Sequence, residues 1–348
     1  MQGAGRLFAR NGPRRNSLSE SAARKPSSAN PMLPSLPPDV ISVILTSLDL
    51  RGLASCARVQ HEWLALAKAR RDSLRLLSWR STRGLHKIKF PTAISPVSSR
   101  LLVGHEGWLN LLDVQGTRHS CIPFRSLLPQ QYRLRGPVGP SGLALSPTSS
   151  QGGSLYLSDA TSDRIFHFLL RVSDDERRLM ELTFQNTAGG FGDLAGQLCA
   201  PGDLCLCGDL LFVLEGSRVS AFLVPSLLYS HRFGERGSEE GHFRKPSALA
   251  AWQREDFTSI IFVADSGNHR IQAFEASTGR FQRTFGRKGS RPGEFRRPSA
   301  LALVRDRLVV CELKGERLQV LDPRTGNPLQ REYFRIRTRA PWMLAASC

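Results

Sequence analysis

The sequence predicts a mainly β chain, a propeller of six blades preceded by a small α-helical segment and a basic tail. Three observations carry this. A long motif is written twice in the second half of the chain, an acidic residue recurs at set distances after a proline, and helix-type apolar spacing is confined to a stretch ahead of residue 74.

At 348 residues, 41% of them hydrophobic, the chain is long enough to bury a substantial core. Lys and Arg outnumber Asp and Glu by 48 to 30, a net charge of +18, so the surface is expected to draw phosphates, anionic membrane or acidic protein. The best apolar stretch, Val219 to Tyr229, is short and broken by Pro225, so no membrane span is expected. Seven scattered cysteines support no disulfide framework, which predicts a reducing compartment, cytoplasmic and/or nuclear. Cys199, Cys205 and Cys207 have no second ligand pair for zinc and are read as buried small apolar residues, so no metal is expected.

Residues 1–33 are rich in Arg, Ser, Pro, Asn and Gly and hold one acid, Glu20. Burial there cannot offset the entropy of ordering, and the tail is predicted to be disordered. Within it, Arg14-Arg15-Asn16-Ser17 has the spacing basophilic kinases favour, while the Arg-rich, acid-poor composition suits a mitochondrial presequence or a plain basic tail.

Residues 34–73 form the next unit. Val40, Ile41, Ile44, Leu45 and Leu48, then Leu53, Cys56, Val59 and Trp63, recur at three- and four-residue spacing. Pro37 and Pro38 suit a helix start with Asp39 in the first turn, and Asp49 and Gly52 punctuate a turn. So small a bundle needs a partner to be stable. Leu36-Pro37, Asp39, Ile44-Leu45, Leu48-Asp49, Leu53, Val59 and Trp63 together resemble an F-box. The resemblance implies that Leu36, Pro37, Ile41, Ile44, Leu45, Leu48, Leu53, Val59 and Trp63 dock on the Skp-type adaptor of a cullin ubiquitin ligase. Gln60, His61 and Glu62 stand where that family often has basic residues, and a helical cap packed on the following domain is the other reading.

Residues 74–348 carry the repeats. Phe233-Gly234 and Phe285-Gly286 each open the pattern Phe-Gly-x-x-Gly-x-x-x-Gly-x-Phe-x-x-Pro-Ser-Ala-Leu-Ala. A strand ending in an acid lies nineteen residues after Pro140 and Pro246, at Asp159 and Asp265, and fourteen after Pro201 and Pro298, at Glu215 and Glu312. The loop between the first two strands is therefore expected in two lengths. A weaker copy runs from Pro91 to His105, making five units. Leu74 to Trp79, Leu85 to Phe90 and Pro341 to Ala345 supply strands for a composite sixth blade, which would close the ring and hide both sheet edges.

Val263-Ala264-Asp265-Ser266-Gly267-Asn268-His269-Arg270-Ile271-Gln272-Ala273-Phe274 is similar to the NHL-repeat signature, and the resemblance spans residues 91–321. Ile261, Val263, Ile271 and Phe274 suit buried strands, with Gly267 and Asn268 taking positive φ in the turn between them. Asp265 with Arg270 and Asn268, and Asp159 with Arg164, are expected to be structural partners.

Strand direction alternates within a blade, so the turn between strands two and three and the loop leaving strand four share one end. That end gathers Arg236, Arg244, Lys245, His269, Arg287, Lys288, Arg291, Arg296 and Arg297 against Glu235, Glu239, Glu240 and Glu294, a candidate ligand face. Its ligand is an acidic protein, or single-stranded RNA as for some NHL proteins, unless the charges merely keep the surface solvated. No Gly-x-Ser-x-Gly elbow, phosphate-binding Gly-rich loop or His-Glu-x-x-His motif occurs, so neither catalysis nor a cofactor is expected. Together the resemblances imply a substrate-recognition subunit of a cullin/Skp-type ubiquitin ligase whose propeller holds an unidentified target protein. The alternative is an RNA-binding or scaffolding propeller.

Overall fold

The structure, a computed structural model, describes residues 93–335 apart from 98–99, 106, 114–117, 133–138, 150–151, 173–179, 255–257, 305, 313, 316 and 330–333. The basic tail, the residues from Leu36 to Trp63 expected to dock an adaptor and the strands expected of a composite blade lie outside the described residues.

Within them are five four-stranded antiparallel sheets, each a blade whose strands pair in chain order. Blade 1 holds β1 (Ala93–Val97), β2 (Arg100–His105), β3 (Trp108–Asp113) and β4 (Arg118–Pro123), followed by a one-turn helix α1 (Phe124–Leu127). Blade 2 holds β5 (Gly142–Ser149), β6 (Gly152–Asp159), β7 (Arg164–Val172) and β8 (Met180–Gly189). Blade 3 holds β9 (Pro201–Cys207), β10 (Leu210–Glu215), β11 (Arg218–Leu223) and β12 (Leu228–Phe233). A short parallel pair, β13 (Glu235–Arg236) and β14 (His242–Phe243), ties the loop that follows. Blade 4 holds β15 (Ala248–Trp252), β16 (Ile260–Asp265), β17 (Arg270–Glu275) and β18 (Phe281–Phe285). Blade 5 holds β19 (Pro298–Val304), β20 (Arg307–Glu312), β21 (Arg317–Leu321) and β22 (Phe334–Arg335). The first strands β1, β5, β9, β15 and β19 stand side by side in that order, the arrangement of a propeller.

The core lies between blades, which explains why the middle strands carry apolar residues on both faces. In β16, Ile261 and Val263 pack with Phe212, Val219 and Phe233 of blade 3, while Phe262 and Ala264 pack with Leu301, Leu308 and Val310 of blade 5. One pleated strand thus serves two neighbours, and each large side chain buried there contributes about 1.5–3 kcal/mol. The fourth strand β12, by contrast, alternates: Leu228, Ser230 and Arg232 face solvent, and Tyr229, His231 and Phe233 turn inward.

The acids expected at the ends of second strands stand there: Asp159, Glu215, Asp265 and Glu312 close β6, β10, β16 and β20. The two expected loop lengths need correction. In blade 2 the extra residues lengthen the β5–β6 hairpin, whose pairing runs on to Pro147 opposite Gly153 and Ser149 opposite Gly152. Only in blade 4 do they separate the two strands, β15 ending at Trp252 and β16 beginning at Ile260.

Candidate ligand-binding face

The loops entering blades 4 and 5 are each clasped by three buried or half-buried side chains of the blade that follows. In blade 4, Asp265 Oδ1 accepts the N–H of Arg244 at 2.7 Å, and Oδ2 accepts Arg270 Nε at 2.9 Å and Asn268 Nδ2 at 2.8 Å. The Arg270 guanidinium continues to the carbonyls of Glu239 and His242, at 2.6 and 3.0 Å. Gln272 donates to the His242 carbonyl at 2.7 Å and accepts from Gly241 N–H at 2.9 Å. Blade 5 repeats the arrangement: Glu312 accepts Arg296 N–H at 2.6 Å, Arg317 Nε at 2.5 Å and Gln319 Nε2 at 2.6 Å. Arg317 and Gln319 then reach the carbonyls of Ser290 and Glu294. A carboxylate at 0% exposure is tolerable because these donors surround it.

Blades 2 and 3 vary the theme. Asp159 accepts from its own turn, Thr161 N–H at 3.0 Å and Ser162 Oγ at 2.6 Å. Arg164, expected to join it, instead lies over the Tyr132 ring, 5.1 Å from its centroid. Glu215 accepts Cys199 N–H at 2.8 Å, Ser220 Oγ at 2.5 Å and Arg218 at 3.1 Å, and burial raises its pKa.

The turn after β16 departs from expectation in one respect. Positive φ falls on His269, at 59°, and not on Gly267 or Asn268. Gly267 is needed for close approach, because its N–H meets the Arg244 carbonyl at 2.7 Å and a Cβ would collide with that oxygen. His269 Nδ1 accepts the N–H of Arg297 at 3.1 Å, which leaves the ring proton on Nε2. Asp163, in the same place in blade 2, likewise accepts Ala200 N–H at 2.6 Å. Burial, and then the charges of Lys288, Arg297 and Lys314, hold His269 below the ordinary histidine range. Lys314 belongs to the turn after β20 and had no motif to announce it.

The repeat motif occurs a third time. Phe191 bridges Leu198 in parallel as Arg236 bridges Phe243 and Lys288 bridges Phe295. Gly189, Gly192 and Gly196 ahead of Pro201 carry the same spacing as Gly234, Gly237 and Gly241 ahead of Pro246. The signal was therefore present, hidden by Ala188 and Leu198 in the places of phenylalanines. Where the other two loops expose charges, this one exposes Phe191 at 76% and Leu194 at 73%, with Asp193 between them. Cys199, expected to be buried, is exposed beside them, because its backbone N–H rather than its thiol is the group held by Glu215.

The predicted ligand-face residues are brought to one end of the blades by these contacts. Arg236, Arg244, Lys245, Lys288, Arg291 and Arg296 are exposed and form no ion pair among the described residues. Arg287 differs, since it pairs with Glu294 at 3.2 Å. Backbone N–H donation from Arg291, with Arg287 beside it, keeps the Glu294 carboxyl below the usual range. Arg254 lies at the opposite end, over Trp252 at 5.2 Å.

Blades, clasps and loops together define an NHL-repeat-like β-propeller. No family model matches the sequence. Over 106 residues, 28% of this chain, it is 36% identical to "Protein brain tumor" of Drosophila melanogaster; the match spans a tenth of that protein's length. Solved structures resemble it at low identity. A chain of a nidogen/laminin complex has TM-score 0.46 and 13% identity, covering 73% of this chain and 82% of that one. A Bacteroides caccae protein of unknown function has TM-score 0.49 and 10% identity, covering 73% and 85%. The dihydro-heme d1 dehydrogenase NirN has TM-score 0.43 and 12% identity, covering 69% and 46%.

Proposed function

We propose that the propeller is a non-catalytic binding module of the RNA-binding or scaffolding kind, which takes a negatively charged macromolecule on the loop face of blades 3 to 5. The carrying observation is the division of charge on that face. Asp265 and Glu312 are buried and satisfied by Arg270 and Arg317, whereas Arg244, Lys245, Lys288, Arg291 and Arg296 remain exposed around them. Surplus positive potential steers and holds an anionic partner.

Lys288→Glu combined with Arg291→Glu tests this by binding measured across salt concentrations. For single-stranded RNA the wild-type affinity should fall steeply with salt, and loss of two phosphate contacts should reduce the logarithmic slope by roughly 1.4. For an acidic protein the variant should lose affinity while RNA binding is weak in both forms. Equal binding of every polyanion by wild type and variant would end the reading.

A second reading comes from the sequence: the F-box-like spacing from Leu36 to Trp63 supports docking on a Skp-type adaptor, with the propeller presenting a target for ubiquitination. On that reading the chain contributes proximity, and other subunits perform the transfer.

A further inference from the structure

Three segments far apart in sequence are tied together at the junction of blades 4 and 5. Arg297 N–H donates to His269 Nδ1 at 3.1 Å, joining the turn after β16 to the end of the loop 286–297. Lys314 N–H donates to the Arg296 carbonyl at 3.2 Å, and Arg296 N–H to Glu312 at 2.6 Å, joining that loop to the turn after β20. Lys288 lies on the same loop, next to its bridge with Phe295. The backbone thus brings three cationic residues to the neighbourhood of one imidazole whose Nε2 carries the proton.

The neighbouring acids do not neutralise this cluster. Glu312 and Asp265 are buried beneath it and satisfied by the clasps, and Glu294 is occupied by Arg287 and by the N–H groups of Ser290 and Arg291. Burial first, and then the charges of Lys288, Arg297 and Lys314, disfavour protonation of His269. A single compact dianion would relieve all of these repulsions at once.

We propose that His269 Nε2–H, Lys288, Arg297 and Lys314 form a binding site for a phosphomonoester on a protein segment. The proposal rests on the reading of this face as anion-binding and names its ligand. A monoester carries about −1.5 to −2 charge at pH 7 and three strong acceptor oxygens, matching a convergent set of cations and one N–H donor. A phosphodiester backbone spreads one charge per nucleotide along its length and is matched by cations in a row. The third loop favours protein as well, since exposed Phe191 and Leu194 offer apolar purchase.

The test uses the full chain and follows the His269 imidazole resonance by NMR, assigned with His269→Gln. The probes are inorganic phosphate, N-acetyl-phosphoserine amide and a ten-nucleotide single-stranded RNA without terminal phosphates. Phosphate and the phosphoserine probe should shift the resonance saturably and raise the His269 pKa, because a bound dianion favours imidazolium. Arg297→Ala or Lys314→Ala should weaken that binding roughly tenfold each. Ala200 already occupies the place of Arg297 in the loop entering blade 3, at φ 48°, so the first variant retains a backbone that alanine adopts in this protein. If the RNA moves His269 as strongly as phosphoserine does, the ligand is a polynucleotide and the proposal fails. If the face retains polyanions but phosphate leaves His269 unmoved, the site is wrong while the anion-binding face stands. If no polyanion binds at all, both fail.

Discussion

Asp203 shows how one side chain can work against the stability of a fold it helps to join. It lies on β9 and accepts the N–H of Leu249, on β15 of the next blade, at 2.8 Å. The carboxyl retains some solvent contact, but the protein packed around it pushes its pKa up to about 6, against an ordinary 3.8, with the backbone N–H groups of Leu249 and Leu204 opposing the rise. A raised acid binds more protons folded than unfolded, so its contribution to stability falls as pH rises from about 4 to about 6 and is constant above. Asp203→Asn keeps an acceptor for Leu249 and removes the ionisation. It should stabilise the protein at pH 7.5 by about 2 kcal/mol, with the gap to wild type closing near pH 4 in urea titrations. A gap independent of pH would show that ionisation is not the cause. At the same scale, Gly234 explains one fixed position of the repeat motif: φ is +87°, and a Cβ there would strike the Phe243 ring.

At the scale of the element, the clasped loop is the unit that the repeats preserve. Gly293 N–H and the carbonyls of Ser290 and Glu294 are satisfied by Gln319 and Arg317, so a loop that reads as irregular is held by the strand beside it. Arg317→Ala would leave Glu312, at 0% exposure, without its cation. We expect a loss of about 3–5 kcal/mol in chemical denaturation and faster amide exchange across residues 287–297. Combining it with Glu312→Gln should restore part of that loss, because the buried charge goes with its partner. An Arg317→Ala protein with wild-type stability and exchange would mean that the clasp is ornamental.

For the whole molecule, net charge and domain order set the expectations. The +18 charge makes every association salt-dependent, so partner assays need to be compared at matched ionic strength. The adaptor reading is tested on the complete chain by co-purification with a Skp-type adaptor. Leu45→Asp should abolish capture, since a charge on an apolar docking face costs several kcal/mol, and should leave the thermal transition of the propeller in place. Undiminished capture, or none by the wild type, would leave the propeller alone as the source of function.

Local patterns were enough to show a repeat of blades, because their causes are local. A glycine under an aromatic ring, a proline opening an inner strand and an acid closing the second strand recur wherever the geometry recurs, so Phe233-Gly234 and Phe285-Gly286 announce themselves. The cations from Arg236 to Arg297 were legible as a group for the same reason, since alternating strand direction brings their loops to one end. Tertiary structure decided the rest. The loop 189–201 has Ala188 and Leu198 at the motif's two phenylalanine places and is recognisable through its parallel bridge from Phe191 to Leu198. Arg164 turned to Tyr132, and Arg287 was claimed by Glu294. Lys314 was brought to His269 by the loop between their turns, whose Arg296 carbonyl accepts Lys314 N–H and whose Arg297 N–H donates to His269. Sequence patterns record what each residue needs from its neighbours in the chain, whereas a binding site depends on which side chains remain unsatisfied once distant neighbours have met.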